Sequence, residues 1–261
     1  MLLTNYHTHT TRCWHAVGTD REYIEAAIRG GFKVLGFADH APYAFPNGFL
    51  SLIRMFPDTI DEYFTSLLAL KEEYKDQIEI KIGFETEYYP DLFEDFLKRL
   101  EPYPCDYLLL GQHSIFNEYD HNDTPPRGTM EYVNRYVDQV CEAMRTGYFT
   151  YLAHPDLAYC EGYPPEYYRT MEKLIECAIE TDTPLEVNGH SLHNGKESHY
   201  PHAPFWEMVR GTKAKVVFGV DAHKPDALCL PGLSEKAEAL VHSYGLTLTE
   251  PVLRPLGTAR K

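Results

Sequence analysis

Asn5-Tyr6-His7-Thr8-His9-Thr10 sets two imidazoles two residues apart at the end of a short apolar run. In an extended segment successive side chains alternate faces, so His7 and His9 point the same way. Two imidazoles on one face can chelate a borderline divalent cation. With 13 histidines in the chain, one close pair carries little weight by itself. Its weight depends on which residues stand at equivalent places elsewhere.

Those places follow from the elements. Short apolar runs predict strands at 2–6, 34–38, 78–84, 107–110, 149–153, 185–187 and 215–220. Helical spacing or helix-start signals fill the intervals at 20–30, 58–74, 92–100, 130–145, 165–180, 205–209 and 234–242. Thr19-Asp20-Arg21-Glu22 reads as a capping box for the first helix. Alternating strands and helices, with apolar strands throughout, imply a parallel sheet covered by helices. About seven such units favour a distorted (β/α)7 TIM-like barrel in a single α/β domain over residues 1–261.

Ligand-type residues cluster where these strands end. The first strand leads into His7 and His9, with His15 in the following loop; the second ends in Asp39-His40 and the third in Glu85, with Glu87 close behind. The fourth runs into Gly111-Gln112-His113, the fifth into His154-Pro155-Asp156, the sixth into Asn188-Gly189-His190 and the seventh into Asp221-Ala222-His223. In a parallel barrel all of these positions converge at the C-terminal face. One strand-terminal histidine is more economically a hydrogen-bonded structural residue, but such residues at every strand end point to a polynuclear metal site.

His7, His9, His15, His40, Glu85, His113, His154, Asp221 and His223 supply nine side chains. A catalytic zinc takes about three protein ligands and keeps an open position, so this set suffices for two or three ions if a carboxylate bridges. Imidazole suits Zn, Fe and Mn alike, and composition does not choose among them. Glu85, Asp221 and His223 are the candidates closest to the chemistry.

Composition narrows the partners. The 24 basic and 39 acidic residues leave a formal charge of -15, which argues against a non-specific nucleic-acid binder. The six cysteines are scattered without a Cys-x-x-Cys pair, so free thiols in a reducing compartment are expected. No apolar run approaches the ~18 residues of a membrane span, and no secretion signal is evident, so a cytoplasmic location without membrane attachment is expected. Oligomeric state is not legible.

With these residues in view, the chain resembles the polymerase-and-histidinol-phosphatase (PHP) superfamily, in its monofunctional histidinol-phosphatase branch. The resemblance rests on His7-Thr-His9-Thr with Cys13-x-His15, Phe37-Ala-Asp39-His40-Ala-Pro42, Gly83-Phe-Glu85, Gly111-Gln-His113, His154-Pro-Asp156, Leu185-Glu-Val-Asn188 and Asp221-Ala-His223. It implies a trinuclear centre, with His7, His9, Glu85 and Asp221 on one ion and His15, His40 and His223 on a second. Glu85 would bridge to a third ion, also held by His113 and His154. It further implies hydrolysis of L-histidinol phosphate to L-histidinol and phosphate, a late step of histidine biosynthesis, by attack of a metal-bound hydroxide. Alternatives are a PHP phosphoesterase for another small phosphate ester or nucleotide, an amidohydrolase-like metal hydrolase, and a non-catalytic metal-binding module.

One departure from the family concerns the substrate. Relatives often continue the sixth-strand Asn with a segment whose arginine meets phosphate, whereas here it reads Asn188-Gly-His190-Ser-Leu-His193-Asn-Gly-Lys196. His190, His193, Arg127 and Lys224 are the candidate substrate contacts, with Lys196 and Arg54 as further basic residues. The 117–128 stretch is a candidate lid, and the His-rich 190–202 segment a candidate mouth loop. Asp156 is expected to orient a ligand histidine, Asp39 to do so or to cap a turn, and Cys13 to be a packed thiol.

Overall fold

In a computed structural model, residues 2–120, 125–194 and 200–256 of the chain are described. Seven strands pair in chain order, all in parallel: β1 Thr4–Asn5, β2 Val34–His40, β3 Glu79–Thr86, β4 Tyr107–Leu110, β5 Phe149–Leu152, β6 Leu185–Asn188 and β7 Val216–Gly219. Helices follow each strand in turn: α1 Asp20–Arg29, α2 Ile60–Glu73, α3 Pro90–Leu100, α4 Met130–Thr146, α5 Pro165–Glu180, α6 His190–Asn194, α7 Ala203–Val209 and α8 Leu233–Ser243. The result is the expected nearly closed (β/α)7 TIM-like barrel.

Local chemistry explains the element ends. Thr19 accepts a hydrogen bond from Glu22 N, and Glu22 accepts one from Thr19 N, so the capping box forms as read. Pro90 and Pro165 open α3 and α5 at the position where a missing N–H costs nothing. α4 is capped by Thr129 and ends at Gly147, whose φ of 78° suits glycine.

The first strand is shorter than read. After two ladder pairs with β2 the chain turns toward β7: His9 N donates to Ala222 O at 2.9 Å, and Ala222 N to His7 O at 3.2 Å. The Asn5 side chain reinforces this closure, accepting from Val220 N at 2.8 Å and donating to Thr8 Oγ1 at 2.8 Å. The His-x-His segment is therefore the stitch between the first and last strands. β2 and β3 run longer than read, and their register ends on the pair His40↔Glu85. α6 follows directly on β6 and was not expected.

Two apolar layers hold the frame. The larger lies between strands and helices, and a smaller one fills the barrel interior with Ala38, Tyr107, Leu109, Tyr151, Ala153 and Val217. Tyr107 crosses that interior, donating toward Tyr6 O at 2.7 Å and Phe37 O at 3.0 Å. The interior is thus a packed floor beneath the mouth. Among the described residues no helix is long and apolar enough to cross a membrane. All six cysteines are free, and five of them are buried. Tyr107→Phe should lower the free energy of unfolding by about 1–3 kcal/mol, because it strips the one phenolic donor shared by the buried Phe37 carbonyl and the part-buried Tyr6 carbonyl; urea denaturation measures it.

Candidate metal centre

The strand ends bring all nine predicted side chains to the C-terminal mouth of the barrel. Glu85 is at its centre. Its Oε2 lies 3.3 Å from His7 Nε2, His9 Nε2 and His40 Nδ1 alike. Its Oε1 lies 2.7 Å from His154 Nε2 and 3.5 Å from His113 Nε2. One carboxylate thus faces two groups of imidazoles. Asp221 Oδ1 stands 3.5 Å from His7 Nε2 and 3.3 Å from both His9 Nε2 and His223 Nδ1.

Several ligand sets result. The ligand atoms of His7, His9 and Glu85 lie within 4.8 Å of one another, as do those of His15, His40 and His223, and those of His7, His154 and Asp221. The described residues therefore carry His/Glu/Asp clusters suited to binding metal. His7 Nε2, His9 Nε2 and Asp221 Oδ1 are buried without a hydrogen-bond partner among the described residues. Native proteins rarely leave such atoms unsatisfied, and a cation among them would engage their lone pairs.

Electrostatics agree. Burial pushes Glu85 upward, but His113, His7 and His40 outweigh it and hold the carboxyl well below the usual range. Burial likewise opposes ionisation of Asp221, and His7, His9 and His223 overcome it. Burial lowers His40 and His223 well below the ordinary imidazole value, leaving them as neutral donors. At His7 the loss of solvent is outweighed by Glu186, Asp221 and Glu85, so the surroundings favour a positive charge there.

The partners that hold the imidazoles differ from those read in the sequence. Asp156 does not orient a histidine ring: its Oδ2 accepts from His202 N at 2.6 Å and Trp206 Nε1 at 2.9 Å, anchoring the chain ahead of and within α7. Burial raises its carboxyl to about 6. Glu186 takes the orienting role instead. Its Oε1 is 2.8 Å from His7 Nδ1, and its Oε2 accepts from His154 N at 3.1 Å and Asn188 Nδ2 at 3.0 Å. Glu87 does the same for His113 Nδ1, at 3.0 Å. Asp39 caps Thr10 and His40 N and lies 3.6 Å from His9 Nδ1. The signal for Glu186 was present, a lone carboxylate inside the apolar strand β6.

The basic residues scatter. Arg54 is neither a surface charge nor an anion contact; it is buried, bonded to Glu87 Oε2 and Ala41 O at 3.0 Å each and paired with Glu118. Arg127 donates to His113 O at 2.6 Å, at the rim. Lys224 is exposed. His193 Nε2 donates to Val220 O at 3.0 Å, and His190 Nε2 sits 2.6 Å from Asn194 Nδ2. Cys13 is a buried thiol, 3.1 Å from Thr10 O, and its sulfur also lies near His9 and His223. Lys196, His199 and residues 121–124 of the candidate lid lie outside the described residues.

His154 and Asp221 both adopt positive φ, 31° and 55°. Such strain in non-glycine residues concentrates at functional sites, where the surroundings enforce it. Glu186→Gln removes the carboxylate behind His7 with little change of volume. It should weaken metal affinity by about 10–100-fold, measured by competition with a chromogenic chelator, while the circular dichroism spectrum stays that of the unaltered protein.

The chain was compared with known proteins. The PHP domain model matches residues 5–190. A Deinococcus radiodurans protein named "Probable histidinol-phosphatase" is 28% identical over 236 residues, covering 85% of this chain and 87% of its own. The histidinol-phosphatase of Bacillus subtilis is 34% identical over 113 residues, 40% of this chain and 41% of its own. Among solved structures, the Lactococcus lactis histidinol phosphate phosphatase, in complex with Zn, L-histidinol and phosphate, superposes with a TM-score of 0.70 at 17% identity, covering 96% of each chain. The metal-ligand pattern, the barrel and the matched model agree: the chain belongs to the PHP domain family.

Proposed function

We propose that this chain, as one domain over residues 1–261, is a metal-dependent phosphomonoesterase that hydrolyses L-histidinol phosphate to L-histidinol and phosphate. The observation that carries the reading is Glu85, whose two oxygens face separate groups of imidazoles at the barrel mouth. The kinship with histidinol-phosphatases supports the substrate.

His7, His9, Glu85 and Asp221 would hold one ion, and His15, His40 and His223 a second. Glu85, His113 and His154 would hold a third. Zn fits this donor set, as do Fe and Mn. When bound, such ions polarise phosphoryl oxygens and bring the ionisation of water toward neutral pH.

The chain's own residues do the rest. Glu186 and Glu87 fix the rings of His7 and His113, so the donors need not reorganise when substrate arrives. Asp156 anchors the chain around α7 at the mouth. His190, His193, Arg127 and Lys224 remain the proposed contacts to the substrate anion, since the 188–194 segment holds no arginine. Arg127 brings a guanidinium fork, but from outside that segment and with one Nη already donating to His113 O.

His9→Ala and Glu85→Ala should each lose bound metal by elemental analysis. Their kcat/KM on L-histidinol phosphate should fall by more than about 100-fold, since even the partners that only orient ligands are worth 10–100-fold. Full metal content and rate in either variant would overturn the reading. A panel of phosphate monoesters should show the highest kcat/KM for L-histidinol phosphate, and a much better ester would reassign the substrate while keeping the reaction.

A further inference from the structure

From Phe45 to Phe56 the chain reads Phe-Pro-Asn-Gly-Phe-Leu-Ser-Leu-Ile-Arg-Met-Phe, and Arg54 is its single ionisable residue. The stretch joins β2 to α2 at the mouth of the barrel, where a loop is ordinarily polar. Here Ser51 and Arg54 turn inward and are buried together with Met55. Arg54 is bonded to Ala41 O, Glu87 and Glu118, which pins the loop to the barrel. The same pinning turns Phe49, Leu50, Leu52 and Ile53 outward, 39–68% exposed.

The apolar surface extends onto neighbouring loops. Tyr119, after β4, has its ring centroid 5.9 Å from that of Phe49, and its hydroxyl accepts from Asn47 Nδ2 at 2.8 Å. Trp14, after β1, lies 4.8 Å from Phe56 at the other end of the stretch. These six exposed side chains leave the equivalent of about three large residues open, on the order of 600 Å² at roughly 150–250 Å² apiece. That is at the upper limit of what monomeric proteins leave uncovered.

Charge decides what covers it. With a formal charge of -15 the chain repels anionic lipid and nucleic acid. A basic partner is drawn to carboxylates, and this patch presents none. An uncharged apolar patch is instead complementary to itself, because a twofold axis through it sets like against like without opposing charges. Any contact elsewhere between two copies would set net negative charge against net negative charge. The area fits too, since a standard interface takes about 800 Å² from each partner, with an apolar centre and a polar rim.

We propose that this patch is the interface of a twofold homodimer, in which Phe49, Leu50, Leu52 and Ile53 of one copy pack on the same residues of a second. The pair uses loops after β1, β2 and β4, and the loops after β5, β6 and β7 stay free to admit an ester. It also braces Arg54 and, through it, Glu87, whose Oε1 lies 3.0 Å from His113 Nδ1.

Sedimentation velocity on the full metal-loaded chain, over a range of concentrations, reads the assembly directly. The unaltered protein should sediment at twice its single-chain mass at micromolar concentration. Leu52→Glu combined with Ile53→Glu puts carboxylates into the apolar centre. It should weaken the dimer by at least about 100-fold, since an unpaired buried charge costs tenfold or more. Both side chains are exposed in the single copy, so the circular dichroism spectrum and metal content should not change. Val252→Glu alters a residue that is also exposed, on the segment that Arg254 ties to β5, and should leave the dimer intact. A single-chain mass for the unaltered protein at every concentration overturns the proposal. So does an assembly that survives the double substitution, or one that Val252→Glu abolishes. An unaltered protein that stays monomeric and co-sediments with phosphatidylcholine vesicles would give the patch to a lipid surface, and the dimer would fall with it.

Discussion

A carboxylate buried among imidazoles is the constraint to which the rest of this structure answers. Glu85 is about as inaccessible as any residue in the barrel, and an isolated ionised carboxylate there would be several kcal/mol unfavourable. It is tolerated because five histidine rings converge on its two oxygens. Space had to be left for it as well. At Gly111 an added Cβ would meet Glu85 Oε1 at 2.0 Å, so the neighbouring strand end can carry no side chain. Gly219 makes the same concession to Glu186, whose Oε1 would lie 1.8 Å from a Cβ there. Two backbone positions are thus fixed by two carboxylates.

Closure of the barrel and construction of the site are one event. Asn5 links β1 to the end of β7, and the same short segment then presents His7 and His9. The ends of β2 and β3 deliver His40 and Glu85 as a register pair. A slip of one residue in that register would turn one of the two partners away from the axis. The strained backbone at His154 and Asp221 fits this account, because a frame this heavily bonded can hold two residues where isolated peptides rarely go.

What could be read from the chain was periodic. Strands ending in His, Asp or Glu made the barrel and the nine converging side chains legible, because a parallel barrel puts every strand end at one face. What could not be read depends on partners distant in sequence. Arg54 read as a further basic candidate for the substrate anion, yet its burial is decided by Glu87 and Glu118, 33 and 64 residues away. Asp156 follows a candidate ligand, but its carboxylate is drawn to Trp206 and His202 by the path of the chain before α7. α6 has no apolar periodicity to announce it; it begins where Asn188 Oδ1 accepts from His190 N, a local hydrogen bond that composition alone does not reveal.

The missing arginine has its own consequence for charge. A phosphate ester is an anion, and it must approach Glu85 and Asp221, both held well below the ordinary carboxylate range. The buried cation Arg54 is already matched against Glu87, which it and His113 hold near 2 against the opposing effect of burial. Besides Arg127 and Lys224 at the rim, positive charge to receive the substrate would come from cations gathered by the same carboxylates. Binding free energies are reciprocal, so a substrate that prefers the loaded centre must in turn tighten it. In this chain the two binding events are coupled, because the same few side chains that attract the cations would otherwise repel the ester.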